Sequence, residues 1–227
     1  MTRTLLAALL VALALPAAAS AKVVEVGAVT PAAKPSCPGS PCEVISRTTA
    51  YQTRIGDTKN MFVVPRDGRI VAWTISLGKP GKKQQAFFED NLGGASQAGI
   101  TVLRPGERYY GRVLGQTPLV PLTPWFGTTT QFPLTTSIPV VKGSVVALTV
   151  PTWAPALALG LPRDSVWRAS REVDACDDTQ TQAAQTTVRS LARYKCFYRT
   201  ARLAYSVTMI TTPVPPAAPK PTTKRPA

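Results

Sequence analysis

Short apolar runs recur through the middle of the chain, with alternating polar partners and Gly or Pro between them. Met61–Val64 stops at Pro65, and Arg66-Asp67-Gly68-Arg69 follows as a turn, because Asp-Gly supplies the positive φ a tight hairpin needs. Ile70–Leu77 then alternates, placing Val71, Trp73, Ile75 and Leu77 on one face. Ile100–Leu103 ends at Arg104-Pro105-Gly106-Glu107, and Tyr109–Leu114 reads as the next strand. Phe132 and Leu134 lead into Ile138–Val141, where Lys142-Gly143 turns the chain into Val145–Val150. Val166–Ala169 is a short strand. Cys196–Thr211 is the longest, with Phe197, Ala201, Leu203, Tyr205, Val207 and Met209 nearly in period two.

Eight or so short strands with Gly/Pro turns predict an all-β protein, an antiparallel β-sandwich of jelly-roll type over residues 43–211. Thr179–Tyr194 is the one stretch with helical spacing, Val188, Leu191 and Ala192 falling on one side. Its many threonines make a polar loop the competing reading.

The ends read differently. Residues 1–21 have Arg3 as their one charge, an apolar run from Leu5 to Leu15, and then Ala19-Ser20-Ala21. That is the layout of an export signal, and the run is too short to span a bilayer. No twin arginine and no cysteine beside the cut site suggest another route. No later segment reaches the ~18 uninterrupted apolar residues of a transmembrane helix. Residues 22–42 hold four prolines and predict an extended linker closing in a small cystine loop. Residues 212–227 hold six prolines and three basic residues, a composition suited to extended polyproline II and not to a core.

The charge is +14, and loss of Arg3 with the leader leaves +13. Such a surface favours anionic partners and also keeps an exported protein soluble. Four cysteines, all in the exported part, predict two disulfides in an oxidising compartment, extracellular or in the cell envelope. Three connectivities are open; Cys37–Cys42 and Cys176–Cys196 are favoured because each pair is near in sequence and flanks turn-prone residues. Zinc fits poorly: C-x4-C and C-x19-C match no ribbon or finger, and the chain has no histidine.

Four stretches carry a resemblance: Phe62-Val-Val-Pro-Arg-Asp-Gly-Arg-Ile-Val-Ala-Trp73, Thr101-Val-Leu-Arg-Pro105, Phe132-Pro133, and Val140-Val-Lys-Gly-Ser-Val-Val-Ala-Leu148. Together they resemble a group of secreted actinobacterial β-sandwich domains over roughly residues 60–150. The resemblance implies fold and location and carries no chemistry. Ser144 stands where that group usually has aspartate after the glycine, which weakens a metal site at this turn.

The missing histidine removes most Ser/His and Cys/His nucleophile schemes, and no S-x-x-K motif is present. Three sets of residues remain. Glu89-Asp90 and the group Glu172, Asp174, Asp177, Asp178 offer carboxylates, for a glycan hydrolase or lyase or, in Asp174, Asp177 and Asp178, for calcium. Tyr109, Trp125, Phe126 and Trp153 lie near turns and offer aromatic faces to sugar rings, with Tyr110 beside the first. Trp73 and Trp167, in strand patterns, belong in the core. Arg168, Arg171, Arg189, Arg193, Lys195, Arg199 and Arg202 form a candidate anion-binding face, with affinity falling in salt. No nucleic-acid module is recognisable. The reading that fits best is a non-enzymatic domain presenting loops to a cell-wall glycan or anionic polymer, while the carboxylate enzyme is the alternative.

Overall fold

A computed structural model describes residues 20–213, apart from 29, 172 and 179–181. The leader (except Ser20 and Ala21) and the tail beyond Pro213 lie outside the described residues. In chain order the strands begin with β1 (Val23–Val26), β2 (Ile45–Ile55), β3 (Thr58–Lys59) and β4 (Gly68–Ser76). Helix α1 (Lys82–Asn91) precedes β5 (Gln97–Pro105), β6 (Tyr110–Gln116), β7 (Val120–Pro121), β8 (Thr129–Val140) and β9 (Val145–Ala154). Then come β10 (Leu157–Ala158), β11 (Val166–Ala169), β12 (Leu191–Arg193), β13 (Cys196–Arg199), β14 (Arg202–Leu203) and β15 (Tyr205–Thr211).

All ladders are antiparallel, and they form a sandwich of unequal sheets. The smaller has the order β1-β15-β4-β8; the larger runs β12-β6-β5-β9-β2-β11-β13, with β3 and β7 at its margins. Their facing sides share one core. Ile70, Trp73, Ile75, Val207 and Met209 come from the small sheet, and Ile100, Val102, Val146, Leu148 and Trp167 from the large one. No hairpin forms at Asp67-Gly68: the chain bends at 66–67 into β4, Gly68 takes no positive φ, β4 pairs with β15 and β8, and the Asp67 carboxylate accepts the Lys142 N–H at 2.7 Å. Val71 is the extra residue of a bulge between Ile70 and Ala72. The bulge turns Ile70 inward and leaves Val71 only half-buried, contrary to unbroken alternation.

The large sheet cannot be flat. Arg193 in β12 pairs with Tyr110 at one edge, and Cys196 in β13 pairs with Ala169 at the other. Three residues reach at most ~11 Å, whereas seven flat strands would separate those edges by ~29 Å. The sheet therefore curls until its edges meet through Tyr194 and Lys195. Its concave face encloses a second core of Leu103, Val113, Val145, Ala147 and Tyr194, with Tyr51 packed against it. Hydroxyls share this interior. Thr149 Oγ1 lies 3.0 Å from Thr49 Oγ1 and also bonds Thr101 Oγ1. Gln116 Nε2 donates to Thr101 Oγ1 at 2.9 Å. Gln185 N–H donates to Thr49 Oγ1 at 3.0 Å, and the Gln185 side-chain carbonyl accepts from the Tyr194 hydroxyl.

Four more expectations need correction. Residues 182–190 hold no helix; this segment plugs the curled sheet and runs into β12. The helix is α1, whose Lys, Gln, Ala and Glu favour that state but whose one buried residue, Phe88, left no periodic apolar stripe to read. The span 22–42 is not all linker, since β1 is an edge strand paired with β15 and Ser36 N–H reaches the Leu157 carbonyl at 2.9 Å. Cys196–Thr211 is three strands. It breaks at Thr200 (φ 59°) and passes from the large sheet through a β10–β14 ladder into the small sheet.

Both favoured disulfides are present, Cys37–Cys42 with S–S 2.03 Å and Cys176–Cys196 with 2.00 Å, and no cysteine is free. Closed disulfides are the state cysteines hold in an oxidising compartment. Among the described residues no helix is long and apolar enough to cross a membrane.

Candidate functional site: a tyrosine hollow rimmed by arginines

Where the edges of the large sheet meet, four tyrosines gather. Tyr51, Tyr109, Tyr110 and Tyr194 line a hollow of about 100 Å³, together with Leu103, Val145 and the Gly106 and Gly111 backbone. Strand alternation places Tyr51 of β2 on the concave face, 5.4 Å from the Tyr194 ring between centroids. Gly111 lets that ring lie directly on β6, since a Cβ there would meet Tyr194 Cε2 at 2.8 Å.

Tyr109 and Tyr110 stand on the β5–β6 turn, exposed at 51% and 40%. Tyr110 N–H closes the turn on the Glu107 carbonyl, and both central residues, Arg108 (φ 52°) and Tyr109 (φ 67°), are left-handed. A hairpin turn of this shape ordinarily takes Asn-Gly. Holding two side-chain-bearing residues there costs on the order of 1–3 kcal/mol each, so surrounding contacts must maintain it. Three do so. Tyr194 N–H donates to the Tyr109 carbonyl at 2.8 Å. Arg193 Nε donates to the Arg108 carbonyl at 3.3 Å. The Arg168 guanidinium sits 4.1 Å from the Tyr109 ring centroid.

Arg168 projects from β11 and is itself fixed, donating to the Tyr194 carbonyl at 3.0 Å and the Lys195 carbonyl at 3.3 Å. Arg193 lies 5.7 Å over the Tyr110 ring. Lys195 is exposed beside them. Burial raises the Tyr51 hydroxyl above its ordinary pKa, with Arg168 opposing, and burial raises Tyr194 further. Both phenols therefore stay neutral at physiological pH. Fixed guanidiniums over aromatic faces suit a planar anion joined to an apolar ring edge, such as an acidic sugar.

The anion-binding set divides. Arg168, Arg193 and Lys195 meet at this rim. Arg171 does not: it is buried, donating to the Ser46 carbonyl at 3.0 Å, the Cys176 carbonyl at 3.2 Å and the Tyr198 hydroxyl at 2.8 Å, so it anchors the cystine loop. Arg202 is buried on β14 in another sheet, donating to the Pro31 carbonyl at 2.9 Å. Arg199 lies exposed by Phe197, 5.3 Å from its ring centroid, and donates to the Arg163 carbonyl. Arg189 flanks β6, where Arg112 donates to its carbonyl at 3.1 Å. Sequence reading missed Arg104, Arg108 and Arg112, although Arg104 and Arg112 pair across β5 and β6. They recur at every fourth position through one β5–β6 hairpin, and that local spacing was the signal available.

The aromatic set divides too. Trp153 is wholly buried against Phe88 and Phe126, its indole N–H donating to the Gly94 carbonyl at 2.9 Å, so it is a core residue. Phe126 is half-buried on Trp153, and Trp125, 40% exposed, packs edge-on to Phe132. Tyr109 alone of the four joins the basic rim. Trp73 and Trp167 are in the core as expected.

The carboxylates do not assemble. Glu89 accepts from Gln85 on α1, and Asp90 is exposed there. Asp174, Asp177 and Asp178 are exposed on the Cys176 loop, while Glu172 lies outside the described residues. Among the described residues no three His, Cys, Asp or Glu side chains gather as metal ligands. At the turn of the resemblance, Ser144 Oγ is buried without a hydrogen-bond partner.

No known protein family matches the chain, and no curated protein or solved structure is similar to it. Fold and site together define a disulfide-bonded β-sandwich with an arginine-rimmed tyrosine hollow.

Proposed function

We propose that this protein is a secreted or cell-envelope-associated binding domain without catalytic activity, and that its ligand is a glycan or surface polymer carrying carboxylate or phosphate groups. The observation that carries the reading is the Arg168–Tyr109 pair at 4.1 Å, held on a strained turn at the mouth of the tyrosine hollow. Strain of this kind persists where a side chain is needed in place. The leader-like first residues, the two disulfides and the resemblance to secreted actinobacterial domains support the location. Three cations in the 212–227 tail add attraction to the same class of polymer.

The test is retention on purified cell wall and on neutral and acidic polysaccharides across a salt series, comparing the natural chain with Tyr109→Gly. Glycine suits a positive φ, so this variant keeps or gains thermal stability while losing the ring. Binding to acidic polymers should weaken about tenfold, in line with a cation–π face worth ~1–2 kcal/mol. Failure of the natural chain to bind any acidic polymer at low salt would overturn the proposal.

A further inference from the structure

The Arg168 guanidinium serves two rings. It lies 4.1 Å from the Tyr109 centroid and 5.8 Å from that of Phe197. Arg199 stands 5.3 Å from the same Phe197 ring. All three distances fall within the ~6 Å reach of a cation–π contact. The ladders fix the order. Arg168 in β11 is the direct partner of Phe197 in β13 and of Tyr51 in β2, so the three share the face of the large sheet that holds the tyrosine hollow. Arg199, two residues past Phe197, falls on that face too. Trp167 and Tyr198 alternate to the other face, where their rings stack at 4.3 Å, and Asp177 of the cystine loop acts electrostatically on Tyr198 there. From the hollow outward, ring and cation therefore alternate: Tyr109, Arg168, Phe197, Arg199.

Phe197 is 51% exposed and belongs to neither core. Both arginines keep donors to offer. The two Arg168 bonds leave from Nη1, and so does the Arg199 bond to the Arg163 carbonyl at 3.3 Å. A guanidinium carries five donors in a planar fork, so among the described residues the Nε and Nη2 groups of each are left for an anion. A lone acidic sugar engages one ring and one cation. An array in which that pair recurs suits a ligand in which it recurs as well, with pyranose C–H groups against the rings and one carboxylate per sugar against the forks. Polyphosphate repeats the anion without the sugar ring, and a neutral glucan repeats the ring without the anion. We infer that the array binds consecutive units of a linear polyuronate, Tyr109 and Arg168 taking one unit and Phe197 and Arg199 the next. The inference rests on the polymer-binding reading above and names its ligand class.

Displacement of the full chain from immobilised polygalacturonate, at fixed ionic strength, tests it with galacturonate, digalacturonate, dextran and polyphosphate as competitors. Digalacturonate should displace the chain at least about tenfold more effectively than galacturonate, because a second unit joined to the first binds at a high effective concentration. Dextran should not displace it, and polyphosphate should do so less well than soluble polygalacturonate of equal charge. Phe197→Ala and Arg199→Ala, both at exposed positions, should lose most of the digalacturonate gain while galacturonate acts as before, with a thermal melt showing that each is folded. Equal displacement by monomer and dimer, an undiminished gain in either folded variant, or polyphosphate matching polygalacturonate overturns the inference and leaves the polymer-binding reading standing. Retention on other acidic polymers but not on polygalacturonate does the same, and retention on none removes both.

Discussion

The hydroxyl array inside the curled sheet is the structural support of the tyrosine hollow, and Thr149→Val probes it directly. Thr149 is 2% exposed in β9, and its Oγ1 bonds both Thr49 in β2 and Thr101 in β5. Valine has the same branched shape and suits a strand, so backbone and packing should survive. Two buried hydrogen bonds disappear at about 1 kcal/mol each, and the hydroxyls of Thr49 and Thr101, both wholly buried, lose a partner. A net loss of about 2 kcal/mol follows. For a domain of this size that is a fall in Tm of ~4–8 °C. Urea unfolding by linear extrapolation measures the free energy, and hydrogen exchange should show faster opening of residues 182–195, since Gln185 N–H hangs on Thr49. The decisive comparison is Thr101→Val/Thr149→Val. Removing both partners of one bond leaves Gln116 Nε2 with the Gln185 carbonyl as acceptor, so the double variant should lose clearly less than the two singles combined. Simple additivity, or a Thr149→Val chain as stable as the natural one, would refute the reasoning.

Two further expectations follow from burial and cross-linking. Burial raises the pKa of Tyr51, Tyr194, Tyr198 and Tyr205, so each folded site favours the protonated phenol. Their share of stability is complete below the unfolded value near 10 and is lost as pH rises past it. Tm should therefore fall steeply above about pH 10, with four of the six tyrosines ionising late in an absorbance titration; a Tm flat to pH 11 would contradict this. Cys176→Ser/Cys196→Ser opens a loop of sequence separation 20 and should cost about 3 kcal/mol, against about 2 for Cys37→Ser/Cys42→Ser with separation 5, both read by urea unfolding. The reverse order would point to strain or residual structure in place of loop entropy.

What the sequence determined by itself is local in origin. Period-two alternation, the Lys142-Gly143 turn and the Cys37–Cys42 pair act within a few residues, and Cys176–Cys196 closes over 20, so most strands, that turn and the disulfides were legible, whereas the hairpin expected at Asp67-Gly68 is absent because β4 pairs with distant strands. Alternation records which way a side chain faces and not which strand its backbone pairs with. Ala201, Leu203, Tyr205, Val207 and Met209 all face one core while the ladder changes partner at Thr200 and again after Leu203. That is why three strands read as one. The site needed more. Arg168 and Tyr109 are far apart in the chain, and their approach depends on the large sheet curling until β12 and β13 meet. Sheet curvature is set by the sum of twists, bulges and the filling of the concave side by Gln185 and Tyr194. No short window of sequence contains that sum, so only the tertiary structure could decide which arginines bind outward and which, like Arg171 and Arg202, serve the interior.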